Sequence, residues 1–229
     1  MGLVSIILPV HDQADHLAGV VDGYREALAR LEGGYELILV PNACKDETPA
    51  VCRELAARDP AIAVVELAEG GWGRALKAGL RVAQGDLLCY TNSARTQPEM
   101  LTLLLLYAIA YPEVVVKANR RIRDSWPRRL GSVIYNLQCR ALFDLPTWDI
   151  NGTPKVFPRS FRKLLDLRSD DDMIDAELMA TCALEGYPII EVPVLATVRH
   201  GGRSTTNYVS ALRMYVGAMR LARRLRPDQ

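Results

Sequence analysis

The sequence predicts an α/β protein in which helices flank a mostly parallel β-sheet. Strand-like apolar runs alternate with helical patterns through the first 118 residues, an order typical of β-α-β units with right-handed crossovers. The first run, "LVSIILPV" at 3–10, is apolar on both faces, as expected of a strand buried inside a parallel sheet. Apolar residues make up 49% of the 229 residues, which is enough for one sizeable core.

The first half of the chain alternates strands and helices. After the first strand, residues 14–31 place apolar side chains at helical spacing and stop at Gly33-Gly34. A glycine-rich turn precedes a helix at 73–83, and Pro98-Glu99 opens a helix at 97–110. Shorter patterns complete the alternation. They predict strands at 35–40, 61–67, 86–91 and 113–118, and a helix at 46–58.

The second half is less regular. Helical spacing predicts helices at 125–143, 172–186 and roughly 206–225, and an apolar run predicts a strand at 189–200. Residues 146–155, "PTWDINGTPK", are predicted to form a loop because proline, glycine and polar residues dominate them. No linker or internal repeat divides the chain, so we interpret residues 1–229 as a single domain.

Composition and charge argue against several classes of protein. The formal net charge is +1, which argues against a nucleic-acid partner. The five cysteines are scattered without metal-ligand spacing, as expected of reduced thiols in a cytoplasmic protein. Residues 1–10 lack the layout of a signal peptide, and the longest uncharged run, 100–112, is too short to span a bilayer. We therefore expect a cytoplasmic protein that is at most peripheral at the cytosolic face of a membrane.

Polar residues follow several of the predicted parallel strands. In such sheets, ligands bind beyond the carboxyl ends of the strands. This rule brings His11-Asp12, Pro41-Asn42 and residues 92–96 to one rim of the sheet. The sequence therefore predicts a binding site at that rim, although ordinary connecting loops would carry similar residues.

Five stretches of the sequence resemble, in order, family 2 glycosyltransferases of the GT-A fold. The fifth is similar to the ending found in the dolichol-phosphate mannose synthase-like branch. The resemblance implies a GT-A sheet with a nucleotide-sugar half at 1–118 and an acceptor half at 119–229. The stretches are "SIILPVHDQADHL" (5–17), "ELILVPNACKDET" (36–48), "GWGRALKAGLRVAQGDLL" (71–88), "DINGTPKVF" (149–157) and "EGYPIIEVPVLATVRHGGRS" (185–204).

The chain departs from this family at its metal motif. Where the family has Asp-x-Asp-x-Gln, residues 92–96 read Asn-Ser-Ala-Arg-Thr, which offers no carboxylate. Mg²⁺ and Mn²⁺ are hard cations that need anionic oxygen ligands, so we expect no metal cofactor here. Arg95 lies inside the altered motif and would repel a cation, but a guanidinium can neutralise a diphosphate directly. We therefore interpret the protein as transferring sugar without a metal, with Arg95 and other cationic side chains in the metal's place, although a degenerate loop in an inactive protein would read the same.

The resemblance also implies the residues that contact the donor. Aspartates in the first two loops of the family contact the nucleobase and ribose, and Asp12 and Asn42 stand nearest to those positions. Asp12 could equally cap a helix, and Lys77 could lie on a solvated helix face. The glycine-rich turn could serve only to aim its helix. The other candidate donor contacts are Pro9, His11, Gly73, Lys77, Asn92, Ser93, Ala94, Arg120, Arg199 and His200.

The candidate catalytic residues combine cations and carboxylates. Lys155 joins Arg95 as a cation that could stabilise the leaving diphosphate. Asp149, Asp175 and Glu177 could act as a general base if the acceptor is a hydroxyl, whereas a lipid phosphate needs no base. Asp175 and Glu177 could also simply pair with the N-terminal dipole of a helix.

We interpret the protein as an inverting glycosyltransferase that uses a nucleotide-sugar donor and, preferentially, a polyprenyl phosphate acceptor. Basic residues at 117–129 and 213–226 suit docking to an anionic membrane surface, although solvated helix faces have similar compositions. Two alternatives stay open. The acceptor could be a saccharide or another hydroxyl, or the protein could bind nucleotide sugars without catalysis.

Overall fold

The computed structural model describes residues 2–122, 126–195 and 208–225, with side chains described for all of these except 121, 122, 126–129 and 208–212. The strands are β1 (Val4–Val10), β2 (Tyr35–Pro41), β3 (Ile62–Val64), β4 (Leu87–Tyr90), β5 (Val115–Ile122), β6 (Lys155–Pro158) and β7 (Ile189–Leu195). The α-helices are α1 (Leu17–Leu28), α2 (Thr48–Arg58), α3 (Trp72–Val82), α4 (Pro98–Ala110), α5 (Trp126–Phe143), α6 (Ile174–Glu185) and α7 (Tyr208–Leu225), and a 3₁₀ helix spans Arg162–Leu165.

The seven strands form one sheet in the order β3-β2-β1-β4-β6-β5-β7. All neighbouring pairs are parallel except those of β6, which runs antiparallel to both β4 and β5. The predicted α/β class, with a mostly parallel sheet flanked by helices, is confirmed.

Most predicted elements are present with small shifts at their ends, but β6 was missed. Its sequence, "KVFP", has only four residues and follows the polar loop directly, so it gives no alternation that would mark a strand. The antiparallel strand nevertheless pairs along its whole length with β4. As a result Lys155, assigned to a loop by the sequence, lies in the middle of the sheet.

Two apolar layers cover the sheet. Ile7 of β1 belongs to the apolar cluster that includes residues of α3, α5, α6 and α7, whereas Ile6 and Leu8 belong to the cluster that includes residues of α1, α2 and α4. This explains why β1 is apolar on both faces. In the part of the chain that the structure describes, no helix has the length and apolar character needed to cross a bilayer.

Candidate active site

The carboxyl ends of β1, β2 and β4 meet at one edge of the sheet, as their parallel pairing requires. The loops that follow them, 11–16, 42–47 and 91–97, contact each other there. The first loop bonds to both of the others, because the Ala14 N–H donates to Asp46 Oδ2 (3.0 Å) and the Gln13 side chain accepts from Ser93 Oγ (2.7 Å). The Gln13 N–H also donates to Thr48 Oγ1 (2.8 Å) at the start of α2. The predicted rim therefore exists as one connected surface.

Residues 92–96 form a compact turn whose polar atoms are largely occupied. Asn92 Oδ1 accepts the Ala94 N–H (3.0 Å), and the Asn92 carbonyl accepts the N–H groups of Arg95 (3.1 Å) and Thr96 (3.0 Å). Ser93 is fully buried, and Ala94 is 1% exposed. Arg95 is half-buried and already takes part in contacts within the protein. Residues 92–96 therefore do not fit a hard divalent cation: no carboxylate is present and the oxygen of Asn92 is already hydrogen-bonded.

Asn42 lies under the rim rather than on it. Its amide nitrogen donates to the carbonyls of Val10 (2.8 Å) and Val40 (3.2 Å), and its Oδ1 accepts the Gly71 N–H (3.3 Å). The side chain is buried, so these contacts favour a structural role that joins the first two strands to the glycine-rich turn. Contact between Asn42 and the nucleobase stays a prediction.

His11 is exposed and Asp12 is partly exposed at this edge. The His11 ring donates from Nδ1 to the Asn42 carbonyl (2.7 Å), and Asp12 Oδ1 accepts the Lys45 N–H (2.7 Å). Asp12 has a positive φ of 48°, so it turns the chain sharply at the end of β1 instead of capping α1. Pro9 is buried within β1, which favours a structural role for it.

The glycine-rich turn packs against the loop that precedes α6. A Cβ on Gly73 would lie 2.4 Å from the Ser169 carbonyl oxygen, so only glycine lets the loop before α6 pack this closely. Lys77 donates to the Arg168 carbonyl (2.9 Å) and pairs with Asp170 (2.7 Å). These contacts disfavour the predicted donor contacts of Gly73 and Lys77, because the 168–171 loop already occupies both.

A row of polar side chains crosses the sheet behind the rim. Tyr90, Lys155, Lys117 and Glu191 stand in register on β4, β6, β5 and β7. Both lysine side chains are 0% exposed. Lys117 donates to Glu191 (2.9 Å) and to a backbone carbonyl, so its charge is paired inside the protein.

Asp175, near the start of α6, binds two side chains of this row, Lys155 and Tyr90. Its Oδ1 accepts from Lys155 and from the Tyr90 hydroxyl (2.6 Å), and its Oδ2 accepts from Trp72 Nε1 (3.1 Å). Burial lowers the pKa of Lys155, an effect that the Asp175 carboxylate opposes. Burial, together with the same carboxylate, raises the pKa of Tyr90 well above its usual value. These contacts favour a structural role for Lys155, and its predicted contact with the diphosphate stays a prediction.

Arg120 and Asp149 form a second pair on the acceptor side. Arg120 Nε and NH2 donate to the two carboxylate oxygens at 2.7 Å each, and the Arg120 backbone N–H donates to Oδ2 (2.9 Å). The Arg120 side chain is 25% exposed, whereas that of Asp149 is 4% exposed. This geometry fixes the guanidinium while leaving part of it accessible to a ligand.

Glu177 points away from Asp175. Two residues along an α-helix turn the side-chain direction by about 200°. Glu177 accepts the N–H groups of Arg168 (3.0 Å) and Ser169 (2.7 Å) and pairs with Arg224 of α7 (2.9 Å). These contacts favour a structural role and disfavour its prediction as a general base.

Arg199 and His200, predicted donor contacts, lie outside the described residues. Sequence reasoning also missed four residues of the site: Gln13, Trp72, Tyr90 and Glu191. A buried tyrosine or tryptophan is normally a core residue, and its hydroxyl or indole N–H finds a partner only in the folded structure. The signal available for Glu191 was its place in the fifth stretch of resemblance.

The loop that carries Asp149 depends on one glycine. A Cβ on Gly152 would lie 2.1 Å from the Ala118 carbonyl oxygen of β5. We expect Gly152→Ala to displace the loop and to cost about 1–3 kcal/mol of folding free energy, as overpacking does. Urea denaturation measures this. Gly131→Ala in α5 is the matched control, since a Cβ there meets nothing within 4 Å, and it should be neutral or stabilising. Equal stability of both variants would contradict the close packing of this loop.

Curated relatives are similar in sequence to part of this chain. Residues of this chain are 28% identical over 137 positions to the undecaprenyl-phosphate 4-deoxy-4-formamido-L-arabinose transferase of Aeromonas hydrophila, covering 58% of this chain and 42% of that protein. The protein of the same name from Sodalis glossinidius is 26% identical over 213 positions, covering 88% of this chain and 62% of that protein. The chain thus spans about half the length of the curated relatives it matches.

Solved structures share the fold. A mannosyltransferase from Pyrobaculum calidifontis, in complex with GDP-Man and Mn²⁺, superposes with a TM-score of 0.66 at 21% identity, covering 99% of this chain and 64% of that chain. Glucosyl-3-phosphoglycerate synthase from Mycobacterium tuberculosis, in complex with Mn²⁺, UDP and phosphoglyceric acid, gives a TM-score of 0.71 at 18% identity, covering 97% of this chain and 78% of that chain.

The family model for glycosyl transferase family 2 matches residues 5–165. This range includes the three rim loops and both buried lysines, Lys117 on β5 and Lys155 on β6. It covers more than half of the 229 residues. The chain therefore belongs to glycosyl transferase family 2.

Proposed function

We propose that the protein transfers a sugar from a nucleotide-diphosphate donor to a polyprenyl phosphate. Family membership and the relatives named as undecaprenyl-phosphate transferases support this reaction. An oxygen of the lipid phosphate attacks the anomeric carbon from the face opposite the nucleotide. The bond from that carbon to the diphosphate breaks, the configuration inverts, and the nucleoside diphosphate leaves.

One observation carries the preference for a phosphate acceptor: the three candidate base carboxylates are all engaged in ion pairs. Asp149 binds Arg120, Asp175 binds Lys155, and Glu177 binds Arg224. A carboxylate held by a cation is a poor proton acceptor, because protonation would break the pair. A hydroxyl acceptor needs such a base, whereas a phosphate is already anionic.

The acceptor side of the site presents a partly exposed cationic group, the guanidinium of Arg120. Arg120 presents a partly exposed guanidinium in fixed orientation, and Lys117 and Lys155 lie behind it in the sheet. Such a group suits a phosphate, since a guanidinium N–H donates a charge-assisted hydrogen bond to a phosphate oxygen. On the donor side, we propose that Arg95 stabilises the departing diphosphate without a metal ion.

Incubation of purified protein with radiolabelled nucleotide sugar and undecaprenyl phosphate tests the proposal. We expect a lipid-linked product whose formation continues in EDTA. A thermal-shift screen of nucleotide sugars selects the donor, since a ligand that prefers the folded state raises the melting temperature. A product made only with saccharide acceptors would support the hydroxyl alternative. Donor binding without any product would support a silent binding protein.

We also propose that α5 and α7 dock on an anionic membrane surface. Leu130, Val133, Ile134 and Leu137 form an exposed apolar stripe at helical spacing on α5. The neighbouring α7 carries exposed arginines at 213, 220, 223 and 224. Apolar side chains flanked by cations favour an interface with anionic lipids.

Vesicle flotation tests this docking. The wild-type protein should float with anionic vesicles at low salt and less so at physiological salt, because salt screens exposed charges. Ile134→Ser combined with Leu137→Ser should weaken flotation several-fold. Leu103→Ser combined with Leu106→Ser on α4 is the matched control, since those leucines are equally exposed on another helix. Equal flotation of both double variants would contradict the docking surface.

A further inference from the structure

Three potential metal ligands converge where β1 and β2 end. One ligand atom from each of His11, Asp12 and Cys44 lies within 4.8 Å of the other two, in the part of the chain that the structure describes. His11 Nε2 and Asp12 Oδ2 are 3.5 Å apart. Cys44 is half-buried beside them, and His11 is exposed, so the group is open to solvent on one side.

Hydrogen bonds orient two of these ligands, His11 and Asp12, whereas the Cys44 thiol lies against the carbonyls of Val10 (3.7 Å) and Asn42 (3.8 Å). The Asn42 carbonyl can only accept, so His11 Nδ1, at 2.7 Å, carries the ring proton in the neutral form and Nε2 keeps its lone pair. Asp12 Oδ1 is held by the Lys45 N–H (2.7 Å), which turns Oδ2 toward His11. Ligating histidines typically donate their other ring N–H to a carbonyl or carboxylate, and such partners tune metal affinity.

The distances suit a small tetrahedral site. With Zn–N and Zn–O bonds of about 2.0–2.1 Å, a tetrahedral zinc ion separates its nitrogen and oxygen ligands by about 3.4 Å. The observed separation of His11 Nε2 and Asp12 Oδ2 is 3.5 Å. A sulfur ligand forms a longer bond, about 2.3 Å, and the Cys44 sulfur lies within 4.8 Å of a ligand atom of His11 and of Asp12.

We propose that His11 Nε2, Asp12 Oδ2 and the Cys44 thiolate form a three-ligand site for a borderline divalent transition metal such as Zn²⁺, with the fourth position open to solvent. Imidazole and thiolate ligands select Zn²⁺ over Mg²⁺ and Ca²⁺, which prefer oxygen. Binding releases the thiol proton of Cys44 to solvent. The site is separate from the turn at 92–96 and does not depend on the transfer reaction proposed above.

Cobalt binding tests this site, because Co²⁺ replaces Zn²⁺ and reports its ligands by absorption. Titration of the reduced, nucleotide-free protein should give one Co²⁺ per chain, a thiolate-to-cobalt charge-transfer band and the strong visible bands of tetrahedral cobalt. Zn²⁺ should displace the cobalt and abolish the spectrum.

Variants assign the ligands. Cys44→Ser should remove the charge-transfer band, and His11→Gln or Asp12→Asn should each weaken cobalt binding by at least tenfold. His16→Gln is the matched control, since His16 lies in the same loop but pairs with Asp15, and it should bind as the wild type does. Circular dichroism checks that each variant is folded. The proposal is overturned if the wild-type protein gives no charge-transfer band, or if a folded Cys44→Ser variant gives the same band and affinity.

Discussion

Replacing Asp175 by Ala should lower the free energy of unfolding by about 3–5 kcal/mol, because it leaves a buried charge without its partner. Lys155 is 0% exposed, and Asp175 is the carboxylate that binds it. The same substitution also leaves the Tyr90 hydroxyl and the Trp72 indole N–H without their acceptor, because both donate to Asp175. Buried donors without acceptors add to the cost.

Urea denaturation of the wild-type and variant proteins measures this loss. Glu185→Gln is the matched control, because Glu185 lies on the same helix but is exposed, and it should change stability by about 0.5 kcal/mol or less. The double variant Lys155→Met with Asp175→Asn should recover part of the loss, since the lone buried charge is then absent. A cost below about 1 kcal/mol for Asp175→Ala would contradict a buried ion pair.

Replacing Arg95 by Ala should lower kcat by about 10²-fold with a smaller change in donor affinity. Negative charge grows on the diphosphate as it leaves, so a cation that replaces the metal acts mainly in the transition state. Steady-state kinetics and donor titration separate the two effects. Arg58→Ala in α2 is the control, because that arginine is exposed and pairs with Glu54 away from the rim.

A rescue experiment sharpens this prediction. Adding Asn92→Asp and Ala94→Asp to Arg95→Ala should restore activity that requires Mn²⁺. Ala94 is 1% exposed, so a carboxylate at this position would be a buried charge that destabilises the fold unless a cation binds it. The melting temperature of the triple variant should therefore rise when Mn²⁺ is added. Full turnover of Arg95→Ala in EDTA would contradict this role for Arg95 and would point to Arg120 or Arg199 as the cation that stabilises the leaving diphosphate.

The rim could be predicted from the sequence because it depends on short-range patterns. Parallel strands place their carboxyl ends together, and each apolar run identifies such an end. This reasoning brought His11, Asp12 and the turn at 92–96 to one edge, where the structure also has them. It could not foresee that the Asn42 side chain bonds to the carbonyls of Val10 and Val40, because a sequence does not reveal whether a polar side chain turns to solvent or to buried carbonyls.

The ion pairs could not be predicted because they depend on long-range register. Lys155 lies beside Tyr90 and Lys117 because β6 inserts antiparallel between β4 and β5. The four residues of β6 are too few to give a strand pattern in the sequence. Asp175 and Glu177 looked equivalent in the sequence. Because the two residues point to different sides of α6, Asp175 binds the buried Lys155 and Glu177 binds Arg224 of α7.

The most direct test of metal-free transfer is calorimetry of the preferred nucleoside diphosphate in EDTA and in Mn²⁺. The measurement should include the Cys44→Ser variant, so that metal bound near His11 and Asp12 does not alter the result. We predict affinities that agree within about threefold in the two conditions for both proteins. A loss of more than tenfold on chelation, about 1.4 kcal/mol, that Mn²⁺ restores in the Cys44→Ser variant would contradict the account.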